Sequence, residues 1–171
     1  NDMKKLIYLF AGILLFSSCQ EKTDPYIPTI DFQSDKKAAE LISADNAFAF
    51  DLFKEVHSLS EADNYMVSPL SVSIALGMTY NGAEGATKTA FEETLGLAGF
   101  TRHEINVIHG KLIEHLLKVD PKVKFEIANS IWVNKNYTLI TEFADSNAFY
   151  YNAEINSMDF YNGEAVDIIN S

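Results

Sequence analysis

The chain has 171 residues, of which 47% are hydrophobic and 22% are charged, so it can bury the core of one domain of ordinary size. This composition excludes collagen-like, low-complexity and wholly disordered chains, and the formal net charge of −11 opposes binding to nucleic acid. The single cysteine excludes an intramolecular disulfide and a thiolate metal site, so packing must hold the fold together.

The first 19 residues have the layout of a secretory signal peptide. Lys4 and Lys5 precede an apolar run over residues 6–16, and small residues then lead into Cys19. As a helix this run would rise only about 16 Å, roughly half the thickness of a membrane core, which disfavours a permanent transmembrane helix.

The end of this leader, Ser17-Ser18-Cys19, resembles a bacterial lipobox, although Phe16 replaces the usual smaller aliphatic residue. We expect lipid attachment at Cys19, because an unpaired thiol is otherwise disfavoured in an oxidising compartment. The alternative is an ordinary signal peptide beside a free thiol. The sequence thus predicts an extracytoplasmic protein, lipid-anchored to the bacterial cell envelope or in the extracellular space. Residues 20–42 are interpreted as a solvated tether.

A first helix is predicted after the tether. Ser43 or Asp45 can cap it, and apolar residues follow at helical steps. This apolar stripe consists of Phe48, Phe50, Leu52, Phe53 and Val56. The helix should therefore bury one face.

Residues 64–67 are a short strand candidate that leads directly into a second helix. Ser68 fits the N-cap position and Pro69 the first helical position. The helix runs to about Tyr80 and is apolar almost all round, which is typical of a helix at the centre of a core. Gly82, just after it, suits a left-handed cap.

Helices and strands continue to alternate along the rest of the chain. The predicted helices cover residues 86–95 (closed by Gly96), 102–119, 140–150 and 164–171. The predicted strands cover residues 123–133, half exposed at first and covered on both faces at the end, and 153–160. This order favours an α+β layered domain.

Residues that could support catalysis or bind a metal were weighed against structural roles. His103, His109 and His115 are six residues apart, so they point to three sides of one helix and cannot share a metal; surface or boundary positions are expected. The sequence contains neither a Gly-x-Ser-x-Gly turn nor a phosphate-binding loop. A carboxylate pair of the glycosidase type stays open, but no pair stands out. We predict no enzyme activity and no cofactor.

Two blocks of the sequence are together typical of one protein family. The first is NYMVSPLSVSIALGMTYNGAEGATKTAFEETLGL, over residues 64–97, and the second runs from Ala128-Asn129-Ser130-Ile131-Trp132-Val133 to Ile169-Asn170. In order and spacing, both blocks resemble the serpins, a family of serine protease inhibitors. The resemblance covers most of residues 43–171 and implies the serpin fold, a large central β-sheet with surrounding helices.

The resemblance also implies a mechanism and a set of site residues. A serine or cysteine protease would attack an exposed reactive loop, which would then insert as a strand into the sheet and trap the enzyme. Asn64, Ser68, Pro69, Ser71 and Asn170 match the family's shutter, where sheet strands must part. The alternative is that the two serines merely cap a helix.

The chain reaches Ser171 without the family's hinge and reactive loop, so we expect it to be the N-terminal portion of a longer serpin. Inhibition is therefore predicted for the parent protein, with no catalytic or reactive-loop residue in this segment. The second hypothesis is a non-inhibitory serpin that acts as a binding or structural envelope protein. A third, an envelope hydrolase on an unrelated α+β fold, would need a nucleophile or acid pair further along.

Overall fold

The computed structural model describes residues 30–32, 34–120, 122–161 and 163–170, so the leader, Cys19 and residues 20–29 lie outside it. Its elements are α1 (Lys36–Leu59), α2 (Pro69–Tyr80), α3 (Gly85–Leu95), α4 (Arg102–Leu116), β1 (Asn129–Asn134), α5 (Thr141–Tyr151), β2 (Ala153–Met158) and α6 (Ala165–Ile169). Among these residues, no helix has the length and apolar character needed to cross a bilayer. The expected mixture of helices and strands is confirmed.

Helix α1 begins seven residues earlier than the first predicted cap, so residues 36–42 are helical and not part of a tether. The N-cap is Asp35, whose carboxylate accepts the backbone N–H of Ala38 at 2.9 Å. Ala38 and Leu41 are fully buried, and this apolar pair at a three-residue step holds the extra turns against the core. Phe50 and Phe53 of the predicted stripe are instead exposed, by 77% and 49%.

Helix α2 has the predicted bounds, with Ser68 at the N-cap and Pro69 at the first helical position. The expected left-handed cap at Gly82 is wrong, because the chain leaves the helix through Asn81 in a right-handed conformation. Gly82 instead allows the ring of Phe143 to pack closely against the backbone, because a Cβ at Gly82 would lie 3.0 Å from that ring. Gly96 closes α3, as predicted, and adopts the left-handed conformation.

The two strands pair in parallel through the crossover helix α5, with Asn129 opposite Ala153 and Ile131 opposite Ile155. The strand candidate at 64–67 and the first half of the 123–133 candidate are not strands in this structure. A strand needs a hydrogen-bonded neighbour, and within the described residues none lies beside either segment. For the same reason β1 is only half-buried, not covered on both faces.

Two groups of buried side chains form the core, and α2 contributes to both. The first comprises Ala38, Leu41, Tyr80, Ala83, Leu95, Leu97, Ile105 and Ile108. The second comprises Ile74, Met78, Ile113, Tyr151 and Ala153. The prediction that α2 is a central helix is therefore confirmed.

Replacement of Gly110 tests how closely α4 packs on α5. A Cβ at Gly110 would lie 2.8 Å from the backbone oxygen of Tyr150, so the two helices must move apart to admit it. We expect Gly110→Ala to lower the free energy of unfolding by about 1–3 kcal/mol, despite the better helix propensity of alanine. Urea unfolding of the complete domain measures this.

Gly163→Ala is the matched control, because a Cβ at Gly163 has no atom within 4 Å. Equal urea midpoints for the two variants would contradict the close approach of α4 and α5.

Candidate functional site

The two serines predicted for the site meet at the start of α2. The Ser68 and Ser71 hydroxyls are 2.8 Å apart and hydrogen-bonded to each other. Ser68 occupies the N-cap position, but its side chain makes no capping hydrogen bond to the backbone. Simple helix capping therefore does not account for the hydroxyl of Ser68.

A cavity of about 330 Å³ separates this helix start from the segment that leads into β1. Ser68 and Ser71 line one side, with Leu70 and Ile74 beside them. Residues 125–129 line the opposite side. The serine pair thus faces the approach to the sheet across a groove and is exposed within the described part of the chain.

Of the other predicted shutter residues, the two asparagines are not brought to the serine pair. Pro69 lies beside it as the first residue of α2. Asn64 is exposed in the connection before α2, and Asn170, at the end of α6, donates to the Val166 carbonyl at 2.8 Å. Within the described residues, no hydrogen bond links either asparagine to Ser68 or Ser71. A five-residue shutter therefore stays a prediction for the complete domain.

A second polar group, inside the helical layer, was missed from the sequence. His109 was expected at a surface or boundary position, which is wrong, because its side chain is only 2% exposed. Its Nε2 lies 3.1 Å from the Asp45 carboxylate, and its Nδ1 lies 3.4 Å from the Tyr151 hydroxyl. The Ser73 hydroxyl donates to the other oxygen of Asp45. His103 and His115 are exposed, as expected.

The hydrogen bonds continue from Tyr151 across the helices. Its hydroxyl donates to Asn106 at 2.9 Å, and Asn106, Asn81 and Asn147 follow in a chain of side-chain amides. Burial, with a smaller contribution from the charge of Asp45, raises the pKa of Tyr151 far above its ordinary value. The phenol therefore stays neutral and acts as a hydrogen-bond donor.

The order of these partners does not suit nucleophilic catalysis. Asp45 lies between Ser73 and His109, so the serine hydroxyl donates to the carboxylate and not to an imidazole base. In the part of the chain that is described, no three histidine, cysteine, aspartate or glutamate side chains converge as metal ligands. The sequence signal for this polar group is Ser73, a hydroxyl-bearing residue within the nearly apolar helix α2.

Comparison with known proteins defines the class of this chain. The model of the serpin family, described as serine protease inhibitors, matches residues 43–171, about three quarters of the sequence. The chain belongs to the serpin family. Serpins are generally protease inhibitors and not enzymes.

Particular relatives lie at moderate sequence identity. An uncharacterised serpin-like protein of Methanosarcina acetivorans is 33% identical over 174 residues, which cover 97% of this chain and 40% of the relative. The leukocyte elastase inhibitor of Bos taurus is 32% identical over 121 residues, which cover 71% and 31%. The chain thus spans about two fifths or less of the length of these curated relatives.

Solved structures confirm the serpin fold. Human kallistatin matches with a TM-score of 0.70 at 22% identity, over 78% of this chain and 37% of kallistatin. Human thyroxine-binding globulin, solved in complex with thyroxine, matches with a TM-score of 0.68 at 28% identity, over 78% of this chain and 37% of that protein. The expected fold class is therefore shown for this part of the domain.

Bulky substitutions at the serine pair test its role in the complete protein. Ser68→Phe or Ser71→Phe places a ring in the groove and breaks the bond between the hydroxyls. We expect a free energy of unfolding lower by about 1–3 kcal/mol and a larger polymer fraction. Thermal melting and size-exclusion chromatography measure both.

Lys54→Phe, at an exposed position of α1, is the control for adding a ring. If the serine variants match this control in melting temperature and monomer content, the serine pair does not hold the sheet.

Proposed function

We propose that the complete protein carrying this chain is a serpin-class endopeptidase inhibitor that traps a serine or cysteine protease. The Ser68–Ser71 pair, facing the approach to β1 across an open groove, is the observation that carries this proposal. Under this proposal, the pair lies where strands of the sheet separate when a strand enters. Family membership supports the same function.

Loop insertion is favourable in physical terms. A strand that enters a β-sheet gains ladder hydrogen bonds and buries its inward side chains. In a serpin, a metastable native sheet stores the free energy that this step releases.

Incubation of the complete protein with serine proteases of different specificity tests inhibition. We expect a covalent complex that survives a denaturing gel, because the acyl-enzyme is trapped before it hydrolyses. A protease without its catalytic nucleophile is the control and should form no such complex. Complete cleavage of the protein with no complex by any protease would contradict the proposal.

The second candidate function is a non-inhibitory serpin that acts as a binding or structural protein. It is favoured by the match to thyroxine-binding globulin, a serpin solved in complex with thyroxine. The same gel separates the two, because a non-inhibitory serpin is cleaved as an ordinary substrate.

We also propose that the protein is held outside the cytoplasm by a lipid on Cys19. The charged, apolar and small-residue order of the leader supports this. The described chain starts at Ile30, and the residues between Cys19 and Ile30 reach at most roughly 35 Å when extended. Such a tether would keep the serpin domain close to the envelope surface.

Cys19→Ala tests this anchor. We expect the variant to move from the membrane fraction to the soluble fraction, because no lipid can be attached. Ser17→Ala, which retains the thiol, is the control, and the measurement is an immunoblot after ultracentrifugation. A variant that stays in the membrane fraction would contradict lipid anchoring.

A further inference from the structure

The chain of asparagine amides next to His109 has a defined direction, because it ends on a backbone carbonyl. The Asn147 amide nitrogen donates at 3.0 Å to the Phe143 oxygen, which can only accept. The Asn147 side-chain oxygen therefore accepts from Asn81, at 3.0 Å. The Asn81 oxygen in turn accepts from the amide nitrogen of Asn106, also at 3.0 Å.

The same direction continues through Tyr151 to the imidazole. Asn106 presents its oxygen to the Tyr151 hydroxyl, which donates its one hydrogen there at 2.9 Å. Towards His109 Nδ1, 3.4 Å away, the hydroxyl can then offer only a lone pair. A hydrogen bond forms between these atoms only if Nδ1 carries a proton.

The other ring nitrogen also faces an acceptor. His109 Nε2 lies 3.1 Å from Asp45 Oδ2, and Asp45 Oδ1 already accepts the Ser73 hydroxyl. An ionised carboxylate accepts at both oxygens, so Nε2 is the donor. With acceptors at both nitrogens, the ring fits as a doubly protonated imidazolium.

Within the described residues, a charged His109 has one charged hydrogen-bond partner, Asp45. Asp45 of α1 and the neutral phenol of Tyr151 in α5 face the His109 side chain. From α2, Gly77 faces it, and a Cβ at Gly77 would lie 3.2 Å from both the imidazole and the phenol. Within the described residues, Asp45 is the charged group bonded to His109, and its side chain is 12% exposed. Loss of the imidazole proton would leave a largely buried carboxylate without its counter-ion, which is unfavourable.

We propose that Asp45 and His109 form a buried ion pair that makes the fold sensitive to alkaline pH. The pair ties α1 to α4, and Tyr151 extends the connection to α5. The Tyr151 backbone oxygen accepts from Asn129, the first residue of β1, at 2.9 Å. Deprotonation of His109 therefore loosens the helix layer at the point where it holds the start of the sheet.

The sign of the effect follows from proton counting. Loss of the imidazole proton removes an attraction that exists only in the folded protein, so the proposed pair makes higher pH favour unfolding. A difference of one bound proton between the folded and unfolded states raises the unfolding equilibrium constant up to tenfold per pH unit.

Urea unfolding of the complete protein across neutral and mildly alkaline pH tests the proposal. We expect the parent to lose stability with rising pH and His109→Gln, which cannot be charged, to show a shallower slope. His103→Gln is the control, because His103 lies on the same helix but is exposed, 3.2 Å from the Tyr150 hydroxyl. An unchanged slope in His109→Gln would overturn the proposal.

A second measurement serves if His109→Gln does not fold. Site-assigned nitrogen chemical shifts of the imidazoles in the unmodified complete protein report their protons directly. We expect both nitrogens of His109 to be protonated at pH 7, whereas a neutral tautomer at that pH would overturn the proposal.

Discussion

The described structure depends on the burial of one helix, α2. A helix that is apolar on nearly every side cannot face water without losing about 25 cal/mol for each Å² of apolar surface left exposed. The other helices and the strand pair therefore pack around it. Tyr80 of α2 belongs to one core cluster, and Ile74 and Met78 belong to the other, so this helix joins the two clusters into one domain.

The same helix also makes room for polar chemistry inside the core. Gly77 has no side chain, and the imidazole of His109 and the phenol of Tyr151 lie in the space it leaves. Buried polar groups are stable when each donor finds an acceptor, and here one chain of hydrogen bonds runs from Asp45 to the end of α5. This chain links four helices with β1 and gives the packing a definite geometry.

The proposed function relates to the start of α2 and to the strand pair. At the start of α2 the serine hydroxyls bond to each other beside an open groove, and one edge of β1 has no partner within the described residues. Under the proposed function, the serine pair lies near the place where strands of the sheet separate.

The sequence alone determined those features that depend on neighbours along the chain. Pro69 and Gly96 mark helix ends through backbone geometry, and the family motifs identified the fold. Tertiary structure decided the rest: whether the turns after Asp35 are helical depends on a core formed by distant residues, and strands require partners. The contact of Asp45 with His109 joins residues 64 positions apart, so no local pattern could show it. Local backbone preferences depend on short segments of the sequence, whereas side-chain burial and strand pairing depend on contacts that form only when the chain folds.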